Sequence, residues 1–165
     1  MQSVAHHLQQ QAVKLSSSKN AQCDAFARSS FNRYYYSVYL EVRQTLFTLD
    51  RKWGTAAHKT VPMLLRGQVG KEIRKINARA RKLNDTATIQ LCDRATAAIA
   101  RLAGTMEQAN AVRIVADYEP STVVVFSNST RFSLNQVSVN DAHSWHSSVK
   151  IDCGLIMTAW KIANV

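Results

Sequence analysis

Apolar residues recur along this chain at the three-to-four-residue spacing that lines one face of a helix. Val4, Leu8, Ala12 and Leu15 predict a first amphipathic helix over about residues 3–16, ended by the polar cluster SSSKN. A second, long helix is predicted from about residue 21 to 50, because no Gly or Pro falls inside it. Its stripe is Phe31, Tyr35, Val38, Val42, Leu46 and Leu49, flanked by Tyr34 and Thr45. Tyr36, Leu40 and Phe47 point elsewhere, so the helix is apolar on more than one side, as a central or interface helix is. Gly54 breaks it, and residues 56–65 read as a short helix with Pro62 in its first turn.

Gly67 and Gly70 are expected to interrupt the chain before a helix over residues 71–83, with Ile73, Ile76, Ala80 and Leu83 inward. Residues 86–116 form another long helical pattern through Cys92, Ala95, Ile99, Leu102, Met106 and Ala109. The pattern then changes. TVVVFSNSTRFSLNQVSV carries β-branched and aromatic runs on both sides of SNST, which suggests a β-hairpin or an irregular loop over residues 121–139. Asn140 or Asp141 can cap a last helix, whose inner face is Ala142, Trp145, Val149, Cys153, Ile156, Trp160 and Ala163. The expectation is an all-α, up-and-down bundle of five or six helices with a short β-hairpin insertion, forming one domain over residues 1–165.

Charge sharpens this picture. Lys and Arg number 21 against 11 Asp and Glu, for a net charge of +10. Such an excess points to a polyanionic partner. Cys23, Cys92 and Cys153 are too far apart for a paired metal motif and read as small core residues of a reducing compartment. The N-terminus lacks a signal-peptide pattern and no apolar run is long enough to span a bilayer, so a cytoplasmic protein without membrane contact is expected. No phosphate-binding loop, dinucleotide fingerprint, HExxH or GxSxG occurs, which leaves NTPase, dehydrogenase and serine-hydrolase readings unsupported.

Three segments carry a resemblance. ARSSFNRYYYSVYLEVRQTL at residues 27–46 resembles the Arg-x-Tyr-Tyr helix of HEPN-domain proteins. HKTVPMLLRG at residues 58–67 is similar to the segment after that family's next turn, and VRIVADYEP at residues 112–120 to its Arg-x-x-Ala-Asp-Tyr motif. The order and rough spacing agree over about residues 3–163. The segment 121–139 and the third tyrosine depart from the pattern. The resemblance implies a helical bundle, a homodimer, and metal-independent endoribonucleases of toxin–antitoxin and phage-defence systems. It also implies a minimal nucleotidyltransferase or larger effector as partner, and catalysis by an Arg followed four to six residues later by a His, contributed across the dimer.

Metal-independent RNA cleavage needs a general base, a general acid and a cation for the developing phosphorane charge. Arg113, Asp117 and Tyr118 occupy the place of the family's catalytic segment, with no His at the matching position. They read as a catalytic triplet, as a phosphate-clamping Arg with a stacking Tyr, or as a plain i,i+4 ion pair. Arg51 and His58 are the alternative pair, with six residues between them. They read equally as a helix-end charge and a first-turn polar residue. Arg66, Lys71, Arg74, Lys75, Arg79, Arg81 and Lys82 form the candidate nucleic-acid face, with RNA the expected ligand. A solvated surface or a dock for an acidic protein is the rival reading. His143 and His146 share a helix face and His6 and His7 are adjacent, but neither pair has the ligand set of a zinc site. No metal and no cofactor is expected. Of the tyrosine run, Tyr36 and Tyr39 are the rings left to face a second subunit or a base.

Overall fold

The computed structural model describes residues 1–17, 21–128 and 131–162, Asn128 by its backbone alone. Ala163 and parts of the two expected polar breaks, residues 18–20 and 129–130, lie outside the described residues. The protein is mostly α-helical, with one small sheet. Helix α1 is Gln2–Lys14, α2 is Ala21–Leu49, α3 is Val61–Leu64, α4 is Gly70–Lys82, α5 is Thr86–Tyr118 and α6 is Val139–Ile162. Strands β1 (Val125–Asn128), β2 (Arg131–Leu134) and β3 (Val137–Ser138) form an antiparallel meander in the order β1-β2-β3. The chain divides into two compact units, Met1–Tyr39 with Gln108–Ser147, and Leu40–Glu107 with the residues from Ser148 on.

In the first unit, Phe31, Tyr34, Tyr35 and Val38 of α2 are fully buried, as the stripe predicts. Each such side chain withdrawn from water contributes roughly 1.5–3 kcal/mol. Phe132 of β2 meets Phe31 edge-on at 5.8 Å between ring centroids, and Phe126 tilts onto Phe132 at 5.1 Å. Those aromatic contacts seat the sheet on the helix. The expected hairpin is therefore present, with a third strand that the alternation in two residues could not reveal. Its turn places both Asn135 and Gln136 at positive φ, as a two-residue turn between twisted strands requires.

Three expectations in this unit are corrected. The inward face of α1 is Ala5 and Ala12, not Val4 and Leu8, and Val4 is 48% exposed. Hydrogen bonds select that face: Tyr34 of α2 donates to Gln9, and the Cys23 thiol to the Ala12 carbonyl at 3.3 Å. The cap of α6 is Ser138, one turn before Asp141. Its hydroxyl accepts from the Asp141 amide at 3.1 Å, the bond of an N-cap serine, and donates to the Asp141 carboxylate at 2.7 Å. Tyr39 is buried and stacked on Tyr35, which leaves Tyr36 as the half-exposed ring of the run.

Arg28 holds the end of α5. Its guanidinium donates to the carbonyls of Val115 at 3.2 Å, Glu119 at 3.3 Å and Pro120 at 3.4 Å, and to that of Thr122. Asp24, one turn back on α2, accepts from its Nε at 2.6 Å. The chain leaving a helix carries carbonyls outside the helical ladder, and one planar cation here serves several of them at once.

In the second unit, Val42 and Leu46 of α2, Ile73 and Ile76 of α4, Leu102 and Met106 of α5, and Val149 and Ile156 of α6 are buried. Trp53 and Trp160 meet at 5.6 Å. The glycines at 67 and 70 do not interrupt the chain. A π-helical turn, Leu65–Val69, joins α3 to α4, because a lone glycine costs a helix only about 1 kcal/mol. Gly70 is buried, and a Cβ there would lie 3.2 Å from the Arg74 guanidinium. Leu83, expected inward, is 72% exposed: α4 ends at Lys82, and Asn84 turns the chain at φ 54°. Asp85 caps α5. It accepts from the Thr88 hydroxyl at 2.6 Å and the Thr88 amide at 3.0 Å, bonds that hold its carboxyl below the usual range.

Arg28→Ala is expected to destabilise the protein by about 3 kcal/mol, and Arg28→Lys to recover little of that, since a point charge cannot serve several carbonyls. Urea unfolding measures both. For Asp85, the folded carboxyl titrates below its unfolded value. Its contribution is therefore full above the unfolded value and is lost as pH falls through the folded one. Asp85→Ala should flatten the loss of stability between neutral and strongly acidic pH, read as urea midpoints across that range.

Candidate functional site

The triplet of α5 comes together on the last turns of that helix, in the first unit. Arg113 Nε lies 2.9 Å from Asp117 Oδ2, four residues on. The distance is that of an ion pair, but the N–H does not point at the carboxylate, and the buried Nε makes no hydrogen bond. Asn32 of α2 donates to the other carboxylate oxygen, Asp117 Oδ1, at 2.7 Å. The Arg113 guanidinium stands 5.3 Å from the ring centre of Tyr118, a cation–π distance. Burial alone would lower the pKa of Arg113, but Asp117, Tyr36 and Tyr118 outweigh it and raise the group above its ordinary value. Burial also pushes the Tyr35 phenol up, with Arg113 acting against it.

Beside this cluster lies a polar cavity of about 260 Å³ lined by Arg28, Ser29, Asn32, Arg33, Ala116 and Asp117. Asp117 has a partner on each oxygen, and no histidine lines the cavity among the described residues. What remains to give up a proton are phenols and guanidinium groups, which are poor acids near neutrality. The arrangement can hold a phosphate oxygen or stack a base on the 67% exposed Tyr118. It has no group suited to proton transfer in both directions.

The seven basic candidates lie in the second unit, and they divide into two groups. Arg66 makes a two-pronged pair with Glu107, with Nη2 donating to Oε2 at 2.8 Å. That bond raises the guanidinium and lowers the carboxyl. Lys75 reaches Glu72 at 2.7 Å, and Arg81 bonds Asn77 and stands 3.9 Å from Asp93. Lys71, Arg74, Arg79 and Lys82 are exposed and have no ion pair among the described residues. They lie on the side of α4 opposite Ile73, Ile76 and Ala80.

Arg51 and His58 fall on two separate 3₁₀ turns of the second unit, Arg51–Thr55 and His58–Thr60. Cys23, Cys92 and Cys153 are buried and form no disulfide, and burial pushes each thiol up, Cys153 to about 11. Among the described residues no group of three or more His, Cys, Asp or Glu is placed to hold a metal ion.

Two histidines weighed separately as zinc ligands come together in the structure. In the first unit, His6 of α1 and His143 of α6 stand 5.0 Å apart between ring centroids. Tyr34 bridges Gln9 and His143, at 2.5 Å and 2.9 Å from its hydroxyl.

Asn32→Ala and Asp117→Ala are expected to cost about 1 kcal/mol each, and the double variant clearly less than their sum, because both remove one contact. A double-mutant cycle in urea measures the coupling. No family model, no curated protein and no solved structure matches this chain.

Proposed function

We propose that this chain is an RNA-targeting protein of the HEPN kind that its motifs resemble, gripping phosphates on the exposed side of α4. The observation that carries the reading is the row of Lys71, Arg74, Arg79 and Lys82, exposed and without ion-pair partners among the described residues. Four such cations displacing counterions from a single strand give a salt slope of about −3. Arg66, Lys75 and Arg81 already face carboxylates and add less. The fold this reading requires is an up-and-down HEPN-like bundle. Its setting is a cytoplasmic toxin–antitoxin or phage-defence system, in which the chain works as a homodimer.

Arg113, Asp117 and Tyr118 fit phosphate or base contact better than proton transfer, since Asp117 accepts from Asn32 on one oxygen and faces the Arg113 charge with the other. That observation favours a second form of the reading at those residues. In it the triplet is non-catalytic, and the chain serves as a binding subunit for a nucleotidyltransferase or larger effector.

Lys71→Glu combined with Arg79→Glu should weaken binding to single-stranded RNA at least tenfold and flatten the salt slope by about 1.4. Fluorescence anisotropy across a salt series reads both values. An unchanged slope removes α4 from the account.

A further inference from the structure

The polar cavity beside the α5 triplet lies wholly within the first unit, between residues 28–33 of α2 and Ala116 and Asp117 of α5. Its walls divide into groups that are spent and groups that are not. Arg28 is spent, since its donors go to Asp24 and to four carbonyls around the end of α5. Arg33 is exposed and has no ion pair or hydrogen bond among the described residues, and the Ser29 hydroxyl has none either. Asp117 keeps capacity as well. A carboxylate offers about four lone-pair positions. Asn32 fills one of them on Oδ1, and Arg113 faces Oδ2 without aiming its Nε–H at it. An ionised carboxylate only accepts, so Asn32 turns its nitrogen to Asp117 and keeps its oxygen as a further acceptor.

The cavity therefore offers both kinds of group: Asp117 and Asn32 accept, Arg33 and Ser29 donate. A phosphate only accepts, and the Asp117 charge would repel it. A base that both donates and accepts can use every one of these groups. At about 260 Å³ the space falls below the usual range of small-molecule sites and suits one ring system rather than a whole cofactor. Among the RNA bases, guanine alone carries two neighbouring N–H donors on one edge, N1–H and the N2 amino group, which a carboxylate takes two-pronged. Its O6 and N7 are the acceptor pair that arginine takes two-pronged. Adenine and cytosine set a ring-nitrogen acceptor beside their amino group, which would meet a carboxylate lone pair. Uracil has a single N–H between two carbonyls.

We infer that this cavity holds a guanine base, with Asp117 accepting from N1–H and the N2 amino group and Arg33 donating to O6 and N7. The inference deepens the RNA reading above and rests on it. The basic residues of α4 grip phosphates without regard to sequence, and the cavity selects the base. Arg33 and Asp117 are the specificity-determining residues.

The test uses the full chain and fluorescence anisotropy on oligouridylates carrying one guanosine, adenosine, inosine or 7-deazaguanosine at the same place. The guanosine strand should bind at least about fivefold tighter than the adenosine strand. Inosine lacks the N2 amino group and 7-deazaguanosine lacks N7, so each should lose part of that preference. Asp117→Asn should abolish the difference between guanosine and inosine while sparing that between guanosine and 7-deazaguanosine. Arg33→Gln should do the reverse, a crossed pattern that a general loss of structure would not give. Arg33 is exposed and holds nothing among the described residues, so its variant keeps the test decisive should Asp117→Asn fold poorly. Unlabelled GMP should compete far less well than the unlabelled guanosine strand; equal competition makes a free nucleotide the ligand and overturns the assignment to RNA. Equal binding of the guanosine and adenosine strands overturns the inference and leaves the RNA reading standing, as does a guanosine preference that both variants retain in full. A wild type that binds none of the strands overturns both.

Discussion

A helix of 33 residues has to stop, and its last carbonyls then need donors. Around the end of α5 one side chain ties down the exit, bonding one carbonyl of the last turn and three of the segment that follows. Arg28 reaches four carbonyls between Val115 and Thr122 while Asp24 holds its Nε. The rest of the first unit follows from that clamp. It fixes where the chain leaves α5 and heads into β1, and so where the sheet can lay Phe132 against Phe31. It also sets the last turns of α5 beside α2, where Asn32 meets Asp117. The side chain is only 12% exposed, so its charge is screened less than that of a surface arginine.

The candidate sites differ in what their charges are doing. The Arg113–Asp117 pair is engaged within the fold, with Asn32 on one carboxylate oxygen and Tyr118 beside the guanidinium. The exposed basic residues of α4 are not so engaged, and a polyanion could take the place of their counterions. The His6–His143 pair is neither an ion pair nor a charged patch. The Tyr34 hydroxyl lies 2.9 Å from His143, and His6 Nδ1 is buried without a hydrogen-bond partner among the described residues.

Local pattern predicted the long elements well. The periodicity of α2, α5 and the last helix marked their buried faces, because a stripe of large apolar residues over many turns admits one orientation. It failed on α1, a helix of 13 residues in which Ala5 and Ala12, rather than the larger Val4 and Leu8, are buried, and Gln9 bonds α2. It also overrated single glycines as breaks at 67 and 70, where the π turn carries the chain through.

Within one helix, the i,i+4 pairing of Arg113 with Asp117 and the basic side of α4 could be read directly, since helical geometry alone brings such residues together. Contacts between distant segments could not. Asn32 lies 85 residues from Asp117, and nothing in either local pattern marks them as partners. The same holds for Arg28 and the carbonyls after α5, and for His6 and His143. Composition and periodicity therefore settled that this chain is helical, strongly basic and built around aromatic stripes. Which polar groups end up paired, and which nitrogen is left without a partner, depended on long-range packing, because hydrogen bonds are set by direction and distance that no sequence spacing encodes.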